Sequence, residues 1–194
     1  MTLTQLISEV AIATNRPDLT NDITQAIRKA TMKCHLADEF KFDLSEVVIT
    51  VPTQTDFHYQ LDLSNTTNYP LFRKVSHIQE YNLPLAGNEI VFEPKDAAGL
   101  MDDYMLESND YYYQAGYAIN IGSHKQLTQL RVGYWKLPDI GVSTYSSWIA
   151  NMYPDAIIDE AASTVFKAIG KDAEFDRFKE YFIENLAFLR AVGL

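Results

Sequence analysis

The chain has one cysteine, Cys34, and a single thiol excludes an internal disulfide framework. That suits a reducing compartment. No apolar run approaches the ~20 residues that span a bilayer, so no membrane partner is expected. The opening Met1-Thr2-Leu3-Thr4-Gln5 lacks the basic flank and apolar core of a secretory signal. Glycine and proline are sparse, at 8 and 7 of 194 residues, and no segment is repeated or low in complexity. Cations are few as well. Sixteen Lys and Arg against 26 Asp and Glu leave a net charge of -10. Duplex binders neutralise phosphates with Lys and Arg, so this balance argues against ordinary DNA binding. It serves solubility.

Motifs that mark common catalysts are missing too. The chain has no phosphate-binding G-x-x-x-x-G-K-[ST] loop, no G-x-S-x-G elbow and no G-x-G-x-x-G fingerprint. His35, His58, His77 and His124 show no recognised zinc spacing, and the adjacent Cys34 and His35 project about 100° apart on a helix. No cofactor and no metal is expected. The densest carboxylates are Asp102 and Asp103, with Glu107 and Asp110 nearby. Paired carboxylates serve glycoside hydrolysis or bind hard cations, while an acidic loop is more commonly just solvated. Tyr111-Tyr112-Tyr113, with Tyr104 and Tyr117, concentrates aromatics that stack on sugars or form interfaces. In a strand, one or two of the three tyrosines would face the core.

What is present is periodicity. Leu3, Leu6, Ile7, Val10 and Ala11 mark an amphipathic helix, which Asn15-Arg16-Pro17-Asp18 breaks. Ile23, Ala26, Ile27, Ala30 and Cys34 mark a second, with Thr20, Asn21 or Asp22 as its cap. From Glu46 the period becomes 2. Val47 to Val51 reads as a buried strand, and Phe57, Tyr59, Leu61 and Leu63 alternate with polar residues. A strand over Phe72 to Ile78 follows. Pro94 to Met101 reads as a short helix. Tyr117, Ile119 and Ile121 alternate up to Gly122-Ser123-His124-Lys125, which reads as a hairpin turn into Leu130, Val132 and Tyr134. After Pro138 the helical period returns. Ile158, Ala161, Ala162, Val165, Phe166 and Ile169 share one face, and Phe175, Phe178, Phe182, Leu186 and Leu189 form the stripe of a last helix.

Neither pair of helices buries its stripe alone. The expected fold is therefore α+β: a four-helix bundle from two N-terminal and two C-terminal helices, with a small antiparallel β insert between them. The expected domains are a helical hairpin over 1–43, a β-rich insert over 44–140, and a C-terminal hairpin and tail over 141–194.

Ser147-Trp148-Ile149 leading to Tyr153-Pro154-Asp155 and a helix resembles a short signature of phage head-to-tail adaptor (connector, head-completion) proteins of short-tailed phages. Asn15-Arg16-Pro17-Asp18-Leu19 between two helices resembles that family's opening. The likeness covers roughly residues 1–40 and 127–194. It implies a structural virion protein without enzymatic activity, located in the neck and in host cytoplasm during assembly. Copies of it would form a ring, of twelve to match the portal, joining the portal protein to a tail or nozzle protein. The ring would pass DNA without sequence-specific binding, retaining the packaged genome until ejection. Trp148, Tyr153, Pro154 and Asp155 carry the motif. The resemblance also implies that the C-terminal segment lies against the portal, with Leu189, Val192 and Leu194 as its apolar anchors. The alternatives are a cell-wall glycan hydrolase using Asp102, Asp103 or Glu107, and a glycan-binding module using the tyrosine strand through Tyr112.

Overall fold

A computed structural model describes residues 1–55, 57–81, 89–96 and 110–192. The chain forms two units, Met1–Asp43 with Leu137–Leu194, and Leu44–Lys136.

The first unit is helical. Helix α1 (Leu3–Thr14) opens on a capping box in which Thr2 and Gln5 satisfy each other's backbone N–H. It ends at Asn15, whose φ of 53° places it in the left-handed region that Asn tolerates. A 3-10 turn over Pro17–Leu19 leads into α2 (Thr20–Leu36). The expected side-chain cap is not made there. Leu19 holds the N-cap position, and Thr20 lies inside the first turn with its hydroxyl donating to the Pro17 carbonyl. A second 3-10 turn, Lys41–Asp43, closes this segment. After the β unit come α3 (Trp148–Met152), α4 (Pro154–Ala168) and α5 (Asp172–Val192). Gly170, at φ 72°, supplies the left-handed residue that ends α4.

Core residues of all five helices form one apolar cluster, including Leu6, Ile23, Ile27, Ile149, Ile157 and Phe182. One buried charge crosses it. The Glu160 carboxylate of α4 accepts from Lys33 Nζ of α2 at 2.5 Å and from Lys179 Nζ of α5 at 2.7 Å. Both ammonium groups also sit 4.8 Å from the centroid of the Phe182 ring. Three helices are thus tied at one carboxylate, and removing it would leave two like charges facing each other.

The four-helix expectation is overturned in two respects. First, there are five helices among the described residues. Pro154 disfavours the helical region for the residue before it. Tyr153 accordingly adopts φ -140°, ψ 58°, which splits α3 from α4. Second, the sheets are substantial rather than a small insert. Among the described residues seven strands form two sheets, with a hydrophobic core of their own.

Strands β1 (Leu44–Thr50), β7 (Gln129–Lys136) and β3 (Phe72–Glu80) form an antiparallel sheet in the order β1-β7-β3. β1 is an edge strand with alternating exposure, so Val47 to Val51 is not the fully buried run that its β-branched sequence implied. The second sheet has the order β2-β6-β5-β4, from His58–Asp62, Ala118–Gly122, Tyr111–Ala115 and Glu93–Pro94. Its β4–β5 pair is parallel. The expected hairpin at Gly122–Lys125 is not one. β6 pairs with β2 and β5 while β7 pairs with β1 and β3, so this connection passes from one sheet to the other. The true hairpin is β5–β6, turning at Gly116 (φ 63°) and Tyr117. Pro94 belongs to β4 rather than to a helix, Lys95 and Asp96 are not helical either, and 97–101 lies outside the described residues.

Candidate functional site

The motif residues gather around Trp148. Ser147 is the N-cap of α3, its Oγ accepting from the Ala150 N–H at 3.2 Å. The same Oγ lies 2.9 Å from His35 Nε2, at the end of α2. His35 Nδ1 lies 2.8 and 3.0 Å from the two Asp43 oxygens. Trp148 Nε1 donates to Asp43 Oδ1 at 2.8 Å. A carboxylate only accepts, so the imidazole carries a proton on Nδ1, while Nε2 and the serine oxygen share the second hydrogen bond. His35, Asp43 and Ser147 are all buried. Around them the Trp148 ring meets Phe40 edge-on at 5.3 Å and stacks on the exposed Phe42 at 5.1 Å.

Serine, histidine and aspartate thus stand in the nucleophile–base–orienter order of acyl-transfer enzymes. Ser147 is 4% exposed and its oxygen is held in a helix cap. A hollow of about 370 Å³, lined also by Met1, Thr2, Gln5, Tyr145 and Asn151, borders the residue. The relay's evident work is to bolt three segments together and orient Trp148. Spacing could not reveal it, because His35 is 8 residues from Asp43 and 112 from Ser147. The only sequence signal was a Ser directly before a helix.

Tyr153 packs its ring edge-on against Phe188 at 5.7 Å. Pro154 occupies the first turn of α4, and Asp155 is exposed in the same turn, near the positive end of the helix dipole.

The expected anchors separate. Leu189 is 0% exposed and belongs to the helical core, whereas Val192 is 41% exposed. Leu194 lies outside the described residues. Val192 instead joins Tyr181 and Phe188, both exposed, at spacings of 7 and 4 along α5. That is one face of a helix. On its other flank, α5 meets α2 in a groove of about 590 Å³. The floor is apolar, with Met32, Leu36 and Leu186, and the rim is basic, with Lys29, Lys33 and Arg190. Arg190 also donates to the Ala37 carbonyl at 2.8 Å, latching α5 onto the end of α2.

In the β unit, Asp102, Asp103, Glu107 and Tyr104 lie outside the described residues. Asp110 is spent on local structure, accepting from Ser123 Oγ and the His124 backbone and pairing with the His124 ring at 2.8 Å. Tyr112 faces the core, while Tyr111 and Tyr113 are half-buried on the opposite, open face of their sheet. Among the described residues no three His, Cys, Asp or Glu side chains converge to hold a metal ion. No protein-family model and no curated protein matches the chain.

Proposed function

We propose that this chain is a structural adaptor of a tailed-phage neck. Identical copies, about twelve, associate around a symmetry axis beneath the portal protein and join it to a tail or nozzle protein. The ring continues the DNA channel, and the net charge of -10 favours passage over retention. Its mechanism is burial of complementary surface, without turnover.

The observation that carries this reading is the pair of unlike surfaces flanking α5. One is the apolar stripe of Tyr181, Phe188 and Val192, with Glu184 between its members. The other is the α2–α5 groove, with its apolar floor and its rim of Lys29, Lys33 and Arg190. Unlike complementary patches on one subunit are what head-to-tail ring closure requires, since a self-complementary dimer uses one patch twice. A stable interface of this kind buries on the order of 1,200–2,000 Å².

Native mass of the chain, alone and mixed with the portal ring from the same genome, tests the reading. The expected result is an assembly carrying about twelve added subunits. A monomer that ignores the portal sinks it. Truncation after Arg190 keeps the Arg190–Ala37 latch and removes Val192, so it is expected to weaken portal attachment while the monomer stays folded.

A further inference from the structure

We infer that the open face of the β2-β6-β5 sheet is a binding cleft for a neutral oligosaccharide. The inference stands apart from the ring, because it rests on the β unit alone.

The register builds the site. His58, Gly122 and Tyr111 form one cross-strand row, and Gln60, Asn120 and Tyr113 form the next. Side chains alternate across a sheet, so these residues share the face opposite buried Tyr59, Leu61, Ile119, Ile121 and Tyr112. With Gln54 they line a cleft of about 410 Å³, within the range of small-molecule sites.

Glycine sets its floor. A Cβ on Gly122 would stand 2.7 Å from the Tyr111 ring, so that ring lies where a side chain would otherwise rise. Lys95 Nζ is 5.1 Å from the same ring's centroid and helps hold it. Tyr113 lies two residues on, about 7 Å along the strand, which matches two aromatic platforms on one extended ligand. Between the rows, Gln60 Nε2 donates to Asn120 Oδ1 at 3.3 Å. That bond leaves Gln60 Oε1 to accept from, and Asn120 Nδ2 to donate to, hydroxyls of a sugar.

Charge decides the ligand class. Among the described residues, no Lys, Arg, Asp or Glu lines the cleft. The Lys95 ammonium beside the cleft is held over the Tyr111 ring, so the described lining offers a phosphate-bearing or acidic ligand no Lys or Arg of its own, and single-stranded nucleic acid binds where a basic groove tracks its backbone. Aromatic faces with neutral amides fit the apolar CH faces and hydroxyls of an uncharged sugar.

The test is an array of neutral and acidic oligosaccharides with an oligo-dT control, followed by NMR titration of the array hits. Neutral oligosaccharides are expected to bind. Tyr113→Ala and Gln60→Ala should each weaken that binding at least tenfold with an unchanged circular-dichroism spectrum, and Tyr112→Phe, on the core side, should leave it intact. Four results would overturn the inference: no neutral sugar bound at millimolar concentration, binding of acidic sugars or oligo-dT only, sugar binding indifferent to Tyr113→Ala and Gln60→Ala, or self-association that Tyr113→Ala abolishes. The last would assign the face to a second copy of the chain.

Discussion

The Trp148 indole N–H donates to Asp43 Oδ1 at 2.8 Å, joining residues 105 positions apart, and the same carboxylate holds His35. One buried acid therefore fixes the end of α2, the 3-10 turn before the β unit and the start of α3. Trp148→Phe keeps most of the ring packing and removes one donor, so it is expected to cost about 1–3 kcal/mol. Asp43→Ala strips the acceptor from both Trp148 Nε1 and His35 Nδ1, leaves two donors unpaired, and should cost more, about 2–5 kcal/mol. Urea unfolding at pH 7 measures both. An unchanged midpoint for Trp148→Phe would remove the bond from the stability argument.

Ser147 separates a bolt from a catalyst. As a cap and a partner to His35, its loss in Ser147→Ala is expected to cost about 1–2 kcal/mol. A fluorophosphonate probe, which reacts with activated serines, should leave the folded protein unlabelled. Labelling at Ser147 that disappears in His35→Gln would reassign the relay to covalent chemistry.

The helices were legible because each buries one stripe. Leu6, Val10, Ile23 and Ile27 are all buried as the 3.6-residue period requires. Tyr59 and Leu61 face in as the 2-residue period requires, and the same alternation put His58 and Gln60 on the open face. Pairing was not legible. A strand's pattern says which face is buried but not which strand lies beside it, so Ile121 and Leu130 read as one hairpin although they belong to different sheets. The Ser147–His35–Asp43 relay was hidden for a related reason, since hydrogen bonds across 112 residues leave no local period. Leu189 was legible in two ways at once, as a member of the α5 stripe and as an anchor, and its burial follows the stripe.

Asp159 introduces a pH dependence. Burial pushes its carboxyl up to about 6 and Asp155 adds to that, while the hydrogen bond from Asn185 opposes it. A carboxyl whose folded value exceeds its unfolded value is stabilising when protonated, and stability falls as pH rises from about 4 through about 6. The group is half-exposed and screened by solvent, so the loss is expected to be about 1 kcal/mol. Asp159→Asn should therefore raise stability at pH 7.5 by about that amount and show no advantage below pH 4. Thermal melts at both pH values check the sign, and an equal gain at both would exclude ionisation as its cause.

Cys34 should be chemically silent in the folded protein. It is fully buried, with its Sγ 3.8 Å from the Ala156 carbonyl. Burial pushes its thiol up to about 12, with a further push from Glu160. The thiolate is the reactive form, so a disulfide reagent is expected to react only as fast as the helical unit opens, and at once in urea. Rapid stoichiometric reaction in native buffer would contradict that burial.

Leu189 and Val192 lie three residues apart on α5 but answer to different forces. Leu189 fills the core, and Leu189→Ala is expected to cost about 2–5 kcal/mol from lost transfer energy and the cavity left behind. Val192 is exposed, so Val192→Asp should change stability by less than about 0.5 kcal/mol. In the adaptor reading, the same Val192→Asp places a charge in the stripe that must be desolvated on association, and it should weaken ring or portal binding at least tenfold. Lys29→Glu tests the opposite surface: it sits on the groove rim, outside the Glu160 clamp, and reverses the charge offered to Glu184 of a neighbour. Unfolding midpoints and native mass, measured on the three variants, distinguish the roles. Wild-type assembly in both Val192→Asp and Lys29→Glu would remove the flanks of α5 from the interface, whatever Leu189→Ala does to the fold.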